Sequence, residues 1–156
     1  LDKNVACALI VADSQTEGRG RRGKSFYSPA DSGIYMSVLL RPDFGADKSF
    51  FITAGAAVSA VRAVKKVCGI DAGIKWVNDI MLDGKKICGI LCQRVSEGGR
   101  NERVIIGIGI NGTEPESGFP EQIKRRAGAI FPSEQSELCQ RQRFKNRLCA
   151  ERSGRL

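Results

Sequence analysis

The sequence predicts an α+β domain, a mixed and largely antiparallel sheet with helices packed against it. Three observations predict it. Several apolar runs have strand length. Three of them follow one another so closely, over 73–82, 86–95 and 103–110, that only antiparallel neighbours can form. Between the early and late runs lies one amphipathic stretch of helix length. The chain has 156 residues, 42% of them hydrophobic and 27% charged, which is enough for one domain with a buried core.

Residues 5–12, Val-Ala-Cys-Ala-Leu-Ile-Val-Ala, are a continuous apolar run and read as the first strand. A polar stretch rich in glycine and arginine follows to about Gly33, and loops of that length are usually functional or disordered. Residues 34–40 read as a second strand, closed by Arg41-Pro42. A helix is expected over 49–68, with Ser49 as N-cap and Gly69 as stop. Phe51, Ala54, Val58, Val61 and Cys68 recur on it at three- and four-residue spacings. Asp83-Gly84 is a hairpin signal between the third and fourth strands. Residues 97–101 join the fourth to the fifth. Beyond Pro120 the chain is weakly helical, at 121–127 and 137–151. The organisation expected is a domain over 1–131 and an atypical tail over 132–156.

Composition excludes several chemistries. There is no histidine, so no Ser-His-Asp or Cys-His catalytic site exists within the chain. Zinc sites built on histidine are excluded too, and no metal-ligating set is expected. The net charge is +8, but residues 121–156 hold nine basic and four acidic residues, so the bulk of the chain is only mildly basic. No apolar run reaches the roughly 18 residues of a membrane-spanning helix. The six cysteines form no C-x-x-C pair and read as reduced, partly buried thiols of a cytoplasmic protein.

Four segments carry polar chemistry. The first is Gln15-Thr16-Glu17-Gly18-Arg19-Gly20-Arg21-Arg22-Gly23-Lys24. Glycines let backbone N–H groups approach an anion, and arginines grip phosphate or carboxylate in a fork. A solvated basic loop has the same composition. Gly18, Gly20 and Gly23 match G-x-G-x-x-G, as do Gly107, Gly109 and Gly112. Neither sits between a strand and an opening helix, so neither is a dinucleotide fingerprint. The second segment, Lys75-Trp76-Val77-Asn78-Asp79, places a cation, an amide and a carboxylate inside an apolar strand. Alternation puts Lys75, Val77 and Asp79 on one face, an arrangement that is costly in a core unless the polar groups are paired or bind something. The third is Lys85-Lys86-Ile87-Cys88-Gly89-Ile90-Leu91, where Lys86 alternates in phase with Cys88 and Ile90. The fourth is Asn111, closing the Gly-rich strand Gly107-Ile108-Gly109-Ile110; Asn-Gly is also a common turn pair.

Together, in this order and at these separations, the four segments resemble the catalytic domain of biotin–protein ligases over roughly residues 5–120. The resemblance implies the biotin/lipoate protein ligase fold, akin to class II aminoacyl-tRNA synthetases. It implies joining biotin to ATP as biotinyl-5′-AMP, with Mg2+ accompanying the ATP, and transfer to a lysine of the biotin carboxyl carrier domain of a carboxylase. By position, Gln15, Gly18, Arg19, Arg21, Lys86 and Gly89 resemble the biotin-binding residues. Lys24, Phe26, Lys75, Asn78, Lys86 and Asn111 resemble the ATP-binding ones. Lys86 and Arg21 are the implied catalytic cations, with Asp79 orienting Lys86 or the incoming lysine.

Phe26 stands where the family has a tryptophan that stacks on adenine, and Val77 where it has proline. The family's Ser-Thr-Asn segment, C-terminal barrel and helix-turn-helix have no counterpart in the sequence, so truncation at both ends and no specific DNA binding are expected. Pairing as a homodimer is left open. A lipoate–protein ligase shares the fold, and an inactive fragment that binds nucleotide or nucleic acid would use the same basic loop.

Overall fold

The structure, a computed structural model, describes residues 7–42, 49–97 and 101–131. Six strands form one sheet: β1 (Cys7–Ala12), β2 (Gly33–Leu40), β3 (Gly73–Lys75), β4 (Asp79–Leu82), β5 (Lys85–Glu97) and β6 (Asn101–Asn111). Their order is β1-β2-β6-β5-β4-β3, and every strand pairing is antiparallel. One helix, α1 (Ser49–Cys68), carries the chain from β2 to the far edge, and β3 to β6 then meander back. The α+β class and the antiparallel sheet agree with the sequence.

The core lies between α1 and one face of the sheet. Ala57, Ala60 and Val64 of the helix pack with Ile80, Ile87, Cys88, Ile90, Val104, Ile106 and Ile110. Each large aliphatic side chain so buried contributes about 2 kcal/mol. The inward face of α1 differs in part from the one expected. Val61 and Cys68 pack against the core as expected, whereas Phe51 and Val58 are exposed and Ala57, Ala60 and Val64 are the helix residues buried on the sheet. Small residues at the contact let the helix approach its partner closely.

Three other expectations change. The single strand over 73–82 is two strands, because residues 76–78 form a turn. Lys75 and Asp79 still share a face of the sheet, as cross-strand partners of β3 and β4, while Val77 lies in the turn between them. Residues 121–126 form consecutive turns rather than a helix and Ala127 bridges to Lys86, with Lys124 N donating to Pro120 O at 2.9 Å and Ala127 N to Ile123 O at 2.8 Å. The helix expected at 137–151 and the tail over 132–156 lie outside the described residues.

Cys7, Cys68, Cys88 and Cys92 are free thiols, with Cys7 exposed and Cys88 buried. Among the described residues no helix is long and apolar enough to cross a membrane.

Candidate active site

The face of the sheet away from α1 is covered by the Gly- and Arg-rich loop. Its arms pair like a hairpin. Gln15 N donates to Ser28 O at 3.0 Å, Phe26 N to Gly18 O at 2.7 Å and Gly20 N to Lys24 O at 2.6 Å. The Ser28 hydroxyl donates to Gln15 Oε1 at 2.8 Å. The tip turns at Arg21–Gly23, where Arg22 and Gly23 take positive φ of 57° and 72°. Gly18 is required by space: a Cβ there would stand 2.9 Å from Ser28 Oγ and inside 3.0 Å of the Phe26 carbonyl oxygen.

Beneath the loop the sheet is floored by Gly89 and Gly109, which face each other across β5 and β6. The Phe26 ring lies on this pair. A Cβ at Gly89 would be 3.0 Å from the ring, and one at Gly109 closer still. Tyr35, buried, meets Phe26 edge-on with centroids 6.4 Å apart. Its hydroxyl donates to Pro29 O at 2.9 Å, and burial pushes its pKa up from 10.0.

Lys86 reaches this face through a bulge. Ile80 pairs with Cys88 and Met81 with Lys86, which leaves Ile87 without a partner in the register. The extra residue shifts the alternation, as bulges near functional sites commonly do. Lys86 therefore lies beside Gly89, whose Cβ would be 3.1 Å from Nζ. Cys88 and Ile90, with which simple alternation grouped it, belong to the core under α1. Lys86 Nζ stands 2.6 Å from Asp79 Oδ1 and 6.0 Å from the Phe26 ring centroid. That carboxylate oxygen accepts no aligned hydrogen bond among the described residues, so its bond to Lys86 is ionic.

Arg21 Nη1 donates to Asn78 Oδ1 at 2.9 Å, and Asn78 Nδ2 donates to Ile90 O at 3.1 Å. Asn111, buried, donates to Gly128 O at 2.8 Å and lines the same site.

Two cavities open here. One, of about 400 Å³, is cationic: Arg21, Arg22, Lys24, Lys86 and Arg126 line it with a single carboxylate, Asp79. The other, of about 220 Å³, runs along β5 and β6 under the loop, lined by Gly89, Leu91, Gly107 and Gly109 together with Gln15, Glu17, Arg19 and Gln93. Gly20, Arg21, Phe26, Asn78 and Lys86 line both. A polyanion suits the first and a compact, largely apolar ligand the second.

Most residues singled out in the sequence meet at this junction. Lys75 is exposed on β3 and lines neither cavity, while Gly18 shapes the loop from behind. Arg22 and Arg126 were not singled out individually. Arg126 arrives because Lys86 N donates to Arg126 O at 2.7 Å and Gly128 N to Lys86 O at 2.9 Å. Only the basic pair Arg125-Arg126 hinted at it.

An antiparallel sheet backed by one helix, with a Gly-Arg loop over paired glycines, is the architecture of a ligase family. A profile described as the biotin/lipoate A/B protein ligase family matches residues 5–111, and the chain belongs to that family. It is 44% identical over 122 residues to the bifunctional ligase/repressor BirA of Bacillus subtilis, covering 78% of this chain and 38% of that protein. It is 33% identical to the biotin–[acetyl-CoA-carboxylase] ligase of Paracoccus denitrificans, covering 84% and 59% respectively. Among solved structures, biotin protein ligase from Aquifex aeolicus in complex with biotin and ATP matches with a TM-score of 0.65 and 30% identity, covering 88% of this chain and 59% of that one. The chain thus spans between about a third and three-fifths of these relatives' lengths.

Proposed function

We propose that this chain carries the catalytic site of a biotin–protein ligase. It activates biotin with ATP to biotinyl-5′-AMP and passes the biotinyl group to a lysine of a carboxylase carrier domain. The observation that carries the reading is the junction, where Arg21 and Lys86 line both the cationic cavity and the glycine-floored one. Similarity to a ligase solved with biotin and ATP supports it.

The reaction needs such a junction. A carboxylate oxygen attacks the α-phosphorus, the bond from that phosphorus to the β-bridging oxygen breaks, and pyrophosphate leaves. Two anions must approach, so positive charge has to stand where they meet. Lys86 and Arg21 supply it from fixed positions. Asp79 holds the Lys86 ammonium at the junction until the substrate anions compete for it. Arg22, Lys24 and Arg126 balance the charge of the triphosphate. In the second step the amine of the acceptor lysine attacks the acyl carbon, the acyl–oxygen bond breaks, AMP departs and a proton is released.

The described residues contain no group of three Cys, Asp or Glu able to hold a metal ion, and Asp79 is already paired. Magnesium enters with the nucleotide, as the MgATP substrate.

The test is transfer. Incubated with biotin, MgATP and a carrier domain, the chain labels that domain's acceptor lysine, and free lipoate does not compete. Labelling with lipoate in preference to biotin would move the chain to the lipoate branch. Absence of transfer with either acid would overturn the reading.

A further inference from the structure

We infer that Asn78 is a positioning residue that ties the tip of the Gly-Arg loop to the core, rather than a ligand of the nucleotide. Its functional consequence rests on the ligase reading; the tie itself does not. The side-chain amide is spent at both ends. Oδ1 accepts from Arg21 Nη1 at 2.9 Å, across 57 residues of sequence, and Nδ2 donates to Ile90 O at 3.1 Å. The backbone of Asn78 adds a third bond, accepting from Ile90 N at 2.8 Å. Ile90 is only 2% exposed and belongs to the core cluster, so Asn78 is referenced to the most rigid part of the fold.

The rest of the loop is held differently. Its bonds at Gln15, Gly18, Gly20 and Lys24 run from one arm to the other, so they shape the hairpin without fixing where its tip lies over the sheet. The Arg21–Asn78 bond does fix it. The residue must offer one acceptor and one donor about 120° apart on a short stem, which an amide does and a carboxylate does not. The register of β4 on β5, with Asp79 opposite Gly89, places Asn78 opposite Ile90.

The test is a double-mutant cycle of Asn78→Ala and Arg21→Ala, read two ways. In the ligand-free protein, trypsin cleavage after Lys24, a bond that all four proteins retain, reports opening of the loop tip. Each single substitution should speed it about fivefold, the size of one exposed hydrogen bond, and the double should be no faster than either single. In biotin-dependent exchange of pyrophosphate into ATP, Asn78→Ala should lower kcat about five- to tenfold with KM for ATP unchanged within twofold, and should cost nothing further once Arg21 is alanine.

If Asn78→Ala does not fold, Asn78→Asp replaces it. It keeps an acceptor for Arg21 but sets a carboxylate against Ile90 O, so the tie to the core is cut and cleavage after Lys24 should still speed about fivefold; cleavage at the parental rate would overturn the inference. Additive effects in either cycle, or a rise in KM for ATP in the Arg21→Ala background, would overturn the inference. A coupled cleavage cycle in a parent protein without pyrophosphate exchange would sink the ligase reading and leave the tie standing.

Discussion

Replacing Gly18 by alanine tests whether the loop's shape governs the site. The added methyl would sit 2.9 Å from Ser28 Oγ, 3.1 Å from Gln15 Oε1 and inside 3.0 Å of the Phe26 carbonyl oxygen. The last is a backbone atom, so a rotamer change does not relieve it, and the arms must separate by about 1 Å to restore van der Waals contact. That movement breaks the Phe26 N to Gly18 O bond and disturbs the Ser28–Gln15 bond. At about 1 kcal/mol for each bond and a further ~1 kcal/mol of overpacking, the native loop becomes less favourable by about 3 kcal/mol. The loop lies outside the core between sheet and helix, so the penalty falls on the site and not on global stability. Steady-state kcat/KM for biotin-dependent pyrophosphate exchange should drop on the order of a hundredfold, while Tm moves by only a few degrees. Gly55→Ala is the control. It sits in α1 with open space around its Cβ, and should stabilise the fold by about 1 kcal/mol without changing exchange. Gly18→Ala with exchange within twofold of the parent would refute the steric account.

Other expectations follow from particular residues. Asp79→Asn removes the ionic partner of Lys86; it should lower kcat for exchange about tenfold while costing no more than about 1 kcal/mol of stability, read by kinetics and urea melts side by side. Ile80→Ala empties a fully buried position under α1 and should cost about 3 kcal/mol in denaturant titration. Burial pushes the Cys88 thiol up from 9.0 to about 12, against the partial opposition of Lys86. Its folded-state pKa is raised, so its stabilising contribution is complete below pH 9 and declines as pH rises towards 12, where the unfolded chain ionises and the folded one does not. The stability gap between the parent and Cys88→Ala should therefore narrow over that interval. At pH 8 iodoacetamide should label Cys7 quickly and Cys88 only on global unfolding, as mass spectrometry of the peptides would show.

Much of this was legible in the sequence because local signals there are strong. Ser49 and Gly69 bracket a helix that spans Ser49–Cys68, and Asp83-Gly84 turns β4 into β5. The loop's chemistry was legible from glycines and arginines alone. The break at 76–78 was not, because Trp76 and Val77 continue an apolar run although these three residues form the tight turn that folds β3 back on β4. The bulge at Ile87 was hidden because period-two alternation cannot register one extra residue, so Lys86 was put in phase with Cys88 and Ile90, which the structure buries under α1. The inward face of α1 was read in part: Val61 and Cys68 pack on the core, but close approach to the sheet favours Ala57 and Ala60 over the bulkier Phe51 and Val58. Arg126 joins the cavity through backbone bonds to Lys86 across forty positions, and no spacing rule anticipates that.

Lys86 acts where the two cavities meet in the proposed reaction. The direct measurement is biotin-dependent exchange of labelled pyrophosphate into ATP by the parent chain and by Lys86→Ala, with biotin and ATP affinities measured in parallel. The account predicts exchange in the parent, a loss of at least a hundredfold in kcat for Lys86→Ala, and ligand affinities reduced far less than the rate. A Lys86→Ala protein that exchanges pyrophosphate at the parental rate would contradict it.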